Sequence, residues 1–107
     1  MYKRQVLLRE PRPIREGSTA AGAVVALDRF GNLLTNLPGE WLRFGPDALE
    51  IGGRRVPAAS TYGDVPPGEL VALVSSDGRV EVAVRDGSAA ELLDAGVGTP
   101  VRLAILA

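Results

Sequence analysis

The chain has 107 residues, of which 46% are hydrophobic and 23% charged, with a net charge of -1. That is enough apolar material for one small core, and the near-neutral charge argues against nucleic acid or an anionic membrane as partner. Neither Cys nor His occurs, which excludes disulfides, thiol chemistry, Cys or His metal sites and imidazole acid–base catalysis within these residues.

Thirteen Gly and eight Pro favour many short strands and turns over long helices. No apolar stretch approaches membrane-spanning length and no signal-peptide pattern is present. A cytoplasmic location is the expectation.

Met1 to Gln5 hold the chain's single Met, Lys and Gln. They back-translate as ATG TAT AAG AGA CAG, the end of a transposase recognition sequence used in preparing sequencing libraries. Residues 1–5 are therefore expected to be an adapter remnant, outside the fold. Residues 6–20 read as an interdomain linker. Pro11 and Pro13 bar a continuous helix, and Arg9, Glu10, Arg12, Arg15 and Glu16 keep the segment solvated. A linker implies a domain upstream.

The domain proper is expected over residues 21–107. Ala21 to Leu27 is an apolar run that reads as a buried strand. It stops at Asp28-Arg29-Phe30-Gly31-Asn32, where Gly31-Asn32 suits a tight turn, and Leu33-Leu34 resumes at once. A hairpin corner is the ordinary reading of this stretch. It leaves unexplained a carboxylate, an aromatic ring, two carboxamides and a hydroxyl within nine residues, Asp28 to Asn36. An Asn reads an adenine edge with one donor and one acceptor, a Phe stacks on a base, and an Asp pairs with an ammonium. Against this, an aromatic beside a buried strand is ordinarily core, and an Asp here ordinarily caps its own turn.

Pro38 to Phe44 suits a short helical turn with Trp41 and Phe44 three apart, ended by Gly45-Pro46. Gly52-Gly53 joins two short strands as a compact hairpin. Pro57 to Gly68 is loop-rich. Leu70 to Val74 is continuously apolar and predicts a strand covered on both faces. Asp77-Gly78 marks a further hairpin, after which Val80, Val82 and Val84 alternate with polar or small residues, as in a half-buried strand. Ser88-Ala89-Ala90-Glu91 is a capping box that starts one short helix, with Gly96 as its expected stop. Val101, Leu103 and Ile105 alternate in a last strand. The fold expected is all-β: a small antiparallel β-barrel of six or seven strands with one short helix.

Four stretches lie in an order that matches a known family. They are Asp28 to Asn36, Thr61-Tyr62-Gly63-Asp64-Val65-Pro66-Pro67-Gly68-Glu69, Ser76-Asp77-Gly78-Arg79-Val80-Glu81-Val82-Ala83-Val84, and Gly87-Ser88-Ala89-Ala90. Together they resemble the carboxy-terminal domain of the S-adenosyl-L-methionine (SAM) hydroxide adenosyltransferases, relatives of the enzymes that fluorinate or chlorinate SAM. The resemblance implies hydrolysis of SAM to adenosine and L-methionine, with no cofactor and no metal. It implies that Asp28 and Ser76 face the methionine portion, that Phe30, Asn32 and Tyr62 hold the adenine, and that the backbone of Val84, Asp86 and Gly87 reads the adenine edge. It also implies a homotrimer, with each site shared between this domain and the amino-terminal domain of a neighbour. That absent domain carries the water-positioning groups, so no catalytic residue is expected in this chain. The halogenating relatives have bulkier or basic side chains where Leu34, Asp77 and Val84 stand here, which favours water over halide. A halogenase fragment and a stand-alone barrel that binds without catalysis are the competing readings. All the named site residues are expected to converge on one rim of the barrel.

Overall fold

In the computed structural model, residues 12–17, 19–42 and 48–104 are described, without the side chains of Ala48, Tyr62 and Ala104. Residues 1–5, expected to be an adapter remnant, lie outside them, as do Phe44, Gly45, Pro46 and Ile105. Eight strands follow one another: β1 (Ile14–Glu16), β2 (Thr19–Leu27), β3 (Leu33–Pro38), β4 (Ala48–Ile51), β5 (Arg54–Pro57), β6 (Leu70–Val74), β7 (Arg79–Val84) and β8 (Pro100–Ala104). One helix, α1 (Ala89–Leu93), lies between β7 and β8. Single turns of 3-10 helix occur at Gly39–Trp41 and Tyr62–Asp64.

The strand order is β5-β4-β8-β2-β3-β7-β6, with β1 on β2. Every ladder between these strands is antiparallel. A parallel bridge between Ala58 and Ala72, with the Ala59 amide donating to Ala72 O, brings β5's end to β6 and nearly closes the barrel. β1 and β3 share one edge of β2 and β8 takes the other. That crowding explains β2's small residues. A Cβ on Gly22 would lie 2.2 Å from Asn36 Oδ1, which accepts the Ala23 amide at 2.9 Å.

The barrel interior is filled by Val24, Leu33, Leu37, Leu49, Val56, Val80, Val82 and Leu103. A second cluster, Val71, Leu73 and Ala83, lies on the opposite face of β6 and β7, beneath Ala59 and Val65. Burying Val71 and Leu73 there contributes about 1.5–3 kcal/mol each. Segment 59–69 therefore roofs this part of the wall.

Four sequence expectations need correction. The linker assigned to residues 6–20 gives way to sheet at Ile14, which starts β1, and β2 already begins at Thr19. All three β1 residues are exposed, so backbone pairing holds the strand and no apolar pattern announces it. Among the described residues the strands number eight, one more than the upper expectation. β7 is covered on both faces, because the roofing segment hides Ala83 and leaves Glu81 only 9% exposed. The helix ends earlier than Gly96: Asp94 takes the left-handed conformation (φ 51°) and its amide returns to Ala90 O and Glu91 O. Asp tolerates that conformation better than most side chains.

Candidate functional site

The turn after β2 is organised by Asp28. Its Oδ1 accepts the amides of Phe30 (2.9 Å) and Asn32 (3.0 Å), and its Oδ2 accepts Asn32 Nδ2 at 2.8 Å. Backbone bonds from Asp28 N to Asn32 O and from Gly31 N to Asp28 O, both 3.1 Å, close the loop. Partial burial opposes ionisation of Asp28, but the bonds from Asn32, Phe30 and Gly31 outweigh it and hold the carboxyl below its usual range. The ordinary reading of Asp28 as a turn cap thus describes its geometry.

This arrangement turns Phe30 outward. Its side chain is 65% exposed, with the Arg29 guanidinium 5.3 Å from the ring centroid. The expectation that an aromatic beside a buried strand joins the core does not hold, because the Asp28 bonds set a loop in which position 30 faces solvent. Asn32 is the reverse case, 8% exposed. One of its amide protons is committed to Asp28, while Oδ1 and the second proton remain for a partner.

The loop rests on the start of α1. Gly31 O accepts the Ala90 amide at 2.9 Å, and Gly31, at φ 85°, lies so close to Ser88 that an added Cβ would sit 1.9 Å from Ser88 Oγ. Ser88 Oγ in turn accepts the Glu91 amide at 3.2 Å. The serine half of the capping box is formed; no bond returns from the Glu91 side chain to the Ser88 amide among the described residues. Two stretches 50-odd residues apart in sequence are in this way locked together.

Between them runs the backbone that leaves β7. Asp86 adopts φ 62°, and Gly87 N donates to Val84 O at 3.3 Å, so the chain reverses tightly there. Phe30, Asn32, Val84, Arg85, Asp86 and Gly87 line a groove of about 540 Å³, within the size range of small-molecule pockets. An exposed ring, a carboxamide with a free acceptor and donor, and a bent main chain face one space. That set suits a flat heteroaromatic ring with a polar edge.

Ser76 is not there. It sits in the turn before β7, whereas Gly87 follows β7, and a six-residue strand separates the two ends by about 20 Å. Gly39 N bonds Gly78 O at 2.6 Å, which fixes that turn beside the far end of β3. The expected convergence of Ser76 with Phe30 and Asn32 on one rim is therefore corrected. A second concavity of about 320 Å³ is lined by Ser60, Thr61, Leu73, Val74, Ser75, Ser76 and Glu81. Ser75, not Ser76, is the serine that bonds the Asp77 carboxylate. That bond, against some desolvation and with help from Arg79, lowers the Asp77 pKa. Tyr62's backbone forms the 3-10 turn next to Thr61; its side chain lies outside the described residues. Thr35 and Asn36 brace the framework: Thr35 Oγ1 donates to Val80 O at 2.7 Å and Asn36 Oδ1 holds the Ala23 amide.

Sequence reading missed Arg85, Glu81, Ser60 and Thr61 as lining residues. Glu81 had one signal, a carboxylate inside an apolar strand; the others lie in or beside segments without periodicity. A third groove, on β4, β5 and β8, places Glu50 between Arg55 and Arg102 in register and contains none of the motif residues. No helix among the described residues is long and apolar enough to cross a membrane.

Residues 22–102 match the SAM hydroxide adenosyltransferase C-terminal domain. The chain is 46% identical over 100 residues to the (R)-S-adenosyl-L-methionine hydrolase of Thermus thermophilus, an overlap of 92% of this chain and 37% of that protein. It is 39% identical over 92 residues to the enzyme of the same name from Salinispora tropica, covering 86% and 34%. Among solved structures, a conserved hypothetical protein from Thermus thermophilus superposes with a TM-score of 0.75 at 45% identity, over 92% of this chain and 40% of that one. An uncharacterized conserved protein from Thermotoga maritima gives 0.78 at 29% identity, with the same coverage. The chain spans little more than a third of the length of the curated relatives it matches. With the match running across the Asp28 loop, the roofing segment, both ends of β7 and α1, this chain belongs to the SAM hydroxide adenosyltransferase C-terminal domain family.

Proposed function

We propose that this chain is the carboxy-terminal domain of a SAM hydrolase and supplies the ligand-binding wall of its active site. The observation that carries the reading is the groove in which an exposed Phe30, a half-committed Asn32 and the bent Val84–Gly87 backbone face one another. In this reading the adenine stacks on Phe30 and is read at its edge by Asn32 and the main chain of Asp86 and Gly87. The methionine portion extends toward the concavity of Ser76 and Glu81. The family resemblance implies Asp28 at the methionine portion and Tyr62 against the adenine; here the Asp28 carboxylate is spent within the Phe30–Asn32 loop, at the adenine end of this arrangement.

In the reaction, a water oxygen forms a bond to ribose C5′ while the C5′–S bond breaks. The bonding pair stays on sulfur, which leaves as methionine, and the water's proton passes to solvent. A sulfonium is a good leaving group, so in-line positioning and exclusion of bulk water supply most of the acceleration. The water-positioning groups belong to an amino-terminal domain, and the assembly is a cytoplasmic homotrimer with sites between subunits. The names of the relatives support water as nucleophile over halide.

Two measurements test this. In an NMR titration of the chain with adenosine, the amides of Phe30, Asn32, Asp86 and Gly87 should shift at millimolar ligand. Shifts centred instead on Arg54, Arg55 and Arg102 would place the ligand elsewhere and refute the site. Joined to the amino-terminal two-thirds of the Thermus relative, the chain should convert SAM to adenosine and methionine, while alone it should produce neither above the blank rate.

A further inference from the structure

Arg85 holds a place that no motif singles out. It follows β7 directly, and its main chain pairs with the end of the roofing segment: Gly68 N donates to Arg85 O at 2.7 Å and Arg85 N donates to Glu69 O at 3.2 Å. Its guanidinium reaches further along the same segment, where Nη1 donates to Val65 O at 2.8 Å in a part-buried setting. Arg85 is also one of the residues that line the groove of Phe30 and Asn32.

The segment it holds has little else to fix it on that side. Val65 packs on the small cluster of Val71, Leu73 and Ala83. Upstream, the turn is internally tied, with Asp64 Oδ2 accepting Ser60 Oγ and the amides of Ser60 and Thr61, and Thr61 Oγ1 accepting the Gly63 amide. Those bonds stiffen the turn without attaching it to the barrel. Attachment comes at Ala59, whose amide donates to Ala72 O, and at Arg85. Ser60 and Thr61, within this segment, line the second concavity.

We infer that Arg85 is a positioning residue that ties the two concavities together: the residue lines the first, and its guanidinium holds in place the segment that walls the second. The inference deepens the proposed function, because it concerns a ligand that spans both spaces. Its effect should be split by ligand. A ligand confined to the groove of Phe30 does not reach that segment. One that reaches Ser60, Thr61 and Ser76 needs the segment held.

The test uses the whole chain with Arg85→Met, which keeps an unbranched apolar stem and removes the donors, and Arg85→Lys, which keeps one donor. Amide hydrogen exchange at Ala59 and Gly68, whose amides bond the segment to the barrel, should rise about fivefold in Arg85→Met, the loss of one hydrogen bond's worth of protection, and should be partly restored in Arg85→Lys. By NMR titration, Arg85→Met should weaken SAM binding roughly threefold to tenfold more than it weakens adenosine binding. Equal loss for both ligands, or loss for neither, would overturn the assignment. If the unaltered chain binds neither ligand, it is the proposed function that fails, and the exchange rates alone then decide whether Arg85 holds the segment; exchange equal to wild type in Arg85→Met would show that it does not.

Discussion

Replacing Gly31 by Ala separates the ligand loop from the helix it rests on, and the structure sets the size of the effect. Gly31 sits at φ 85°, in a region that costs an L-residue about 1–2 kcal/mol. Its new Cβ would lie 1.9 Å from Ser88 Oγ, 2.7 Å from Ser88 Cβ and 3.2 Å from Ser88 Cα. The hydroxyl could rotate away, at the cost of its bond to the Glu91 amide; the Cβ and the backbone behind it could not. Overpacking of that kind costs about 1–3 kcal/mol, so the whole change should destabilise by about 2–5 kcal/mol. For a domain of this size the melting temperature should fall by about 8 °C or more. Gly52→Ala is the control. Gly52 has φ 57° with nothing within 4 Å of an added Cβ, so only the conformational cost of about 1–2 kcal/mol applies. The assay is thermal unfolding of the three proteins by circular dichroism. If Gly31→Ala melts no lower than Gly52→Ala, the tight contact between the loop and Ser88 is not what holds the site's two halves together.

Other expectations follow from the same geometry. Ser88→Ala removes the cap on α1 and should cost about 1 kcal/mol, read as a shift in the urea midpoint at constant slope. Phe30→Ala should leave stability within about 0.5 kcal/mol, because the ring is exposed, yet weaken adenosine binding by about 1–3 kcal/mol, the worth of one base stacked on one ring; a stability loss without a binding loss would return Phe30 to the framework. Asp28 has a folded pKa below the ordinary carboxylate range, so it contributes stability that is fully present above the unfolded pKa. That contribution should be lost as pH falls from about 4 through the lower folded value. The melting-temperature gap between wild type and Asp28→Asn should therefore be largest near neutral pH and close in acid, and a gap independent of pH would show that the charge plays no part.

Where the chain must turn back on itself, the fold was legible. Gly31, the pair Gly52-Gly53 and Gly78 all take positive φ, and each lies between apolar runs that became paired strands. Ser88 was legible because a hydroxyl three residues before a glutamate has few other uses at a helix start. β1 was not. Its exposed Arg15 and Glu16 between Pro13 and Gly17 carry no pattern, and only the free edge of β2 makes a strand of them. β7 looked half-buried because alternation reports one covered face and says nothing of a loop lying on the other. Pro57 to Gly68 has no periodicity to announce that it is a roof.

The candidate site shows a limit of a different kind. Residue types were readable at Phe30, Asn32 and Gly87, because each supplies a distinct interaction and the loops that bear them are short. Their convergence with Ser76 was not, since it depends on which end of a strand a turn occupies. Ser76 and Gly87 flank the same strand, so antiparallel geometry sends them to opposite ends of it, whatever the loops contain. A ligand that meets both must then lie along β7 rather than sit in a cup at its tip. This recasts Glu81, 9% exposed on β7 and part of the second concavity, as a residue beneath the middle of such a ligand. The segment that Arg85 holds covers this face of β7 at Ala83, so such a ligand must run beside that segment, with Ser60 and Thr61 as its wall.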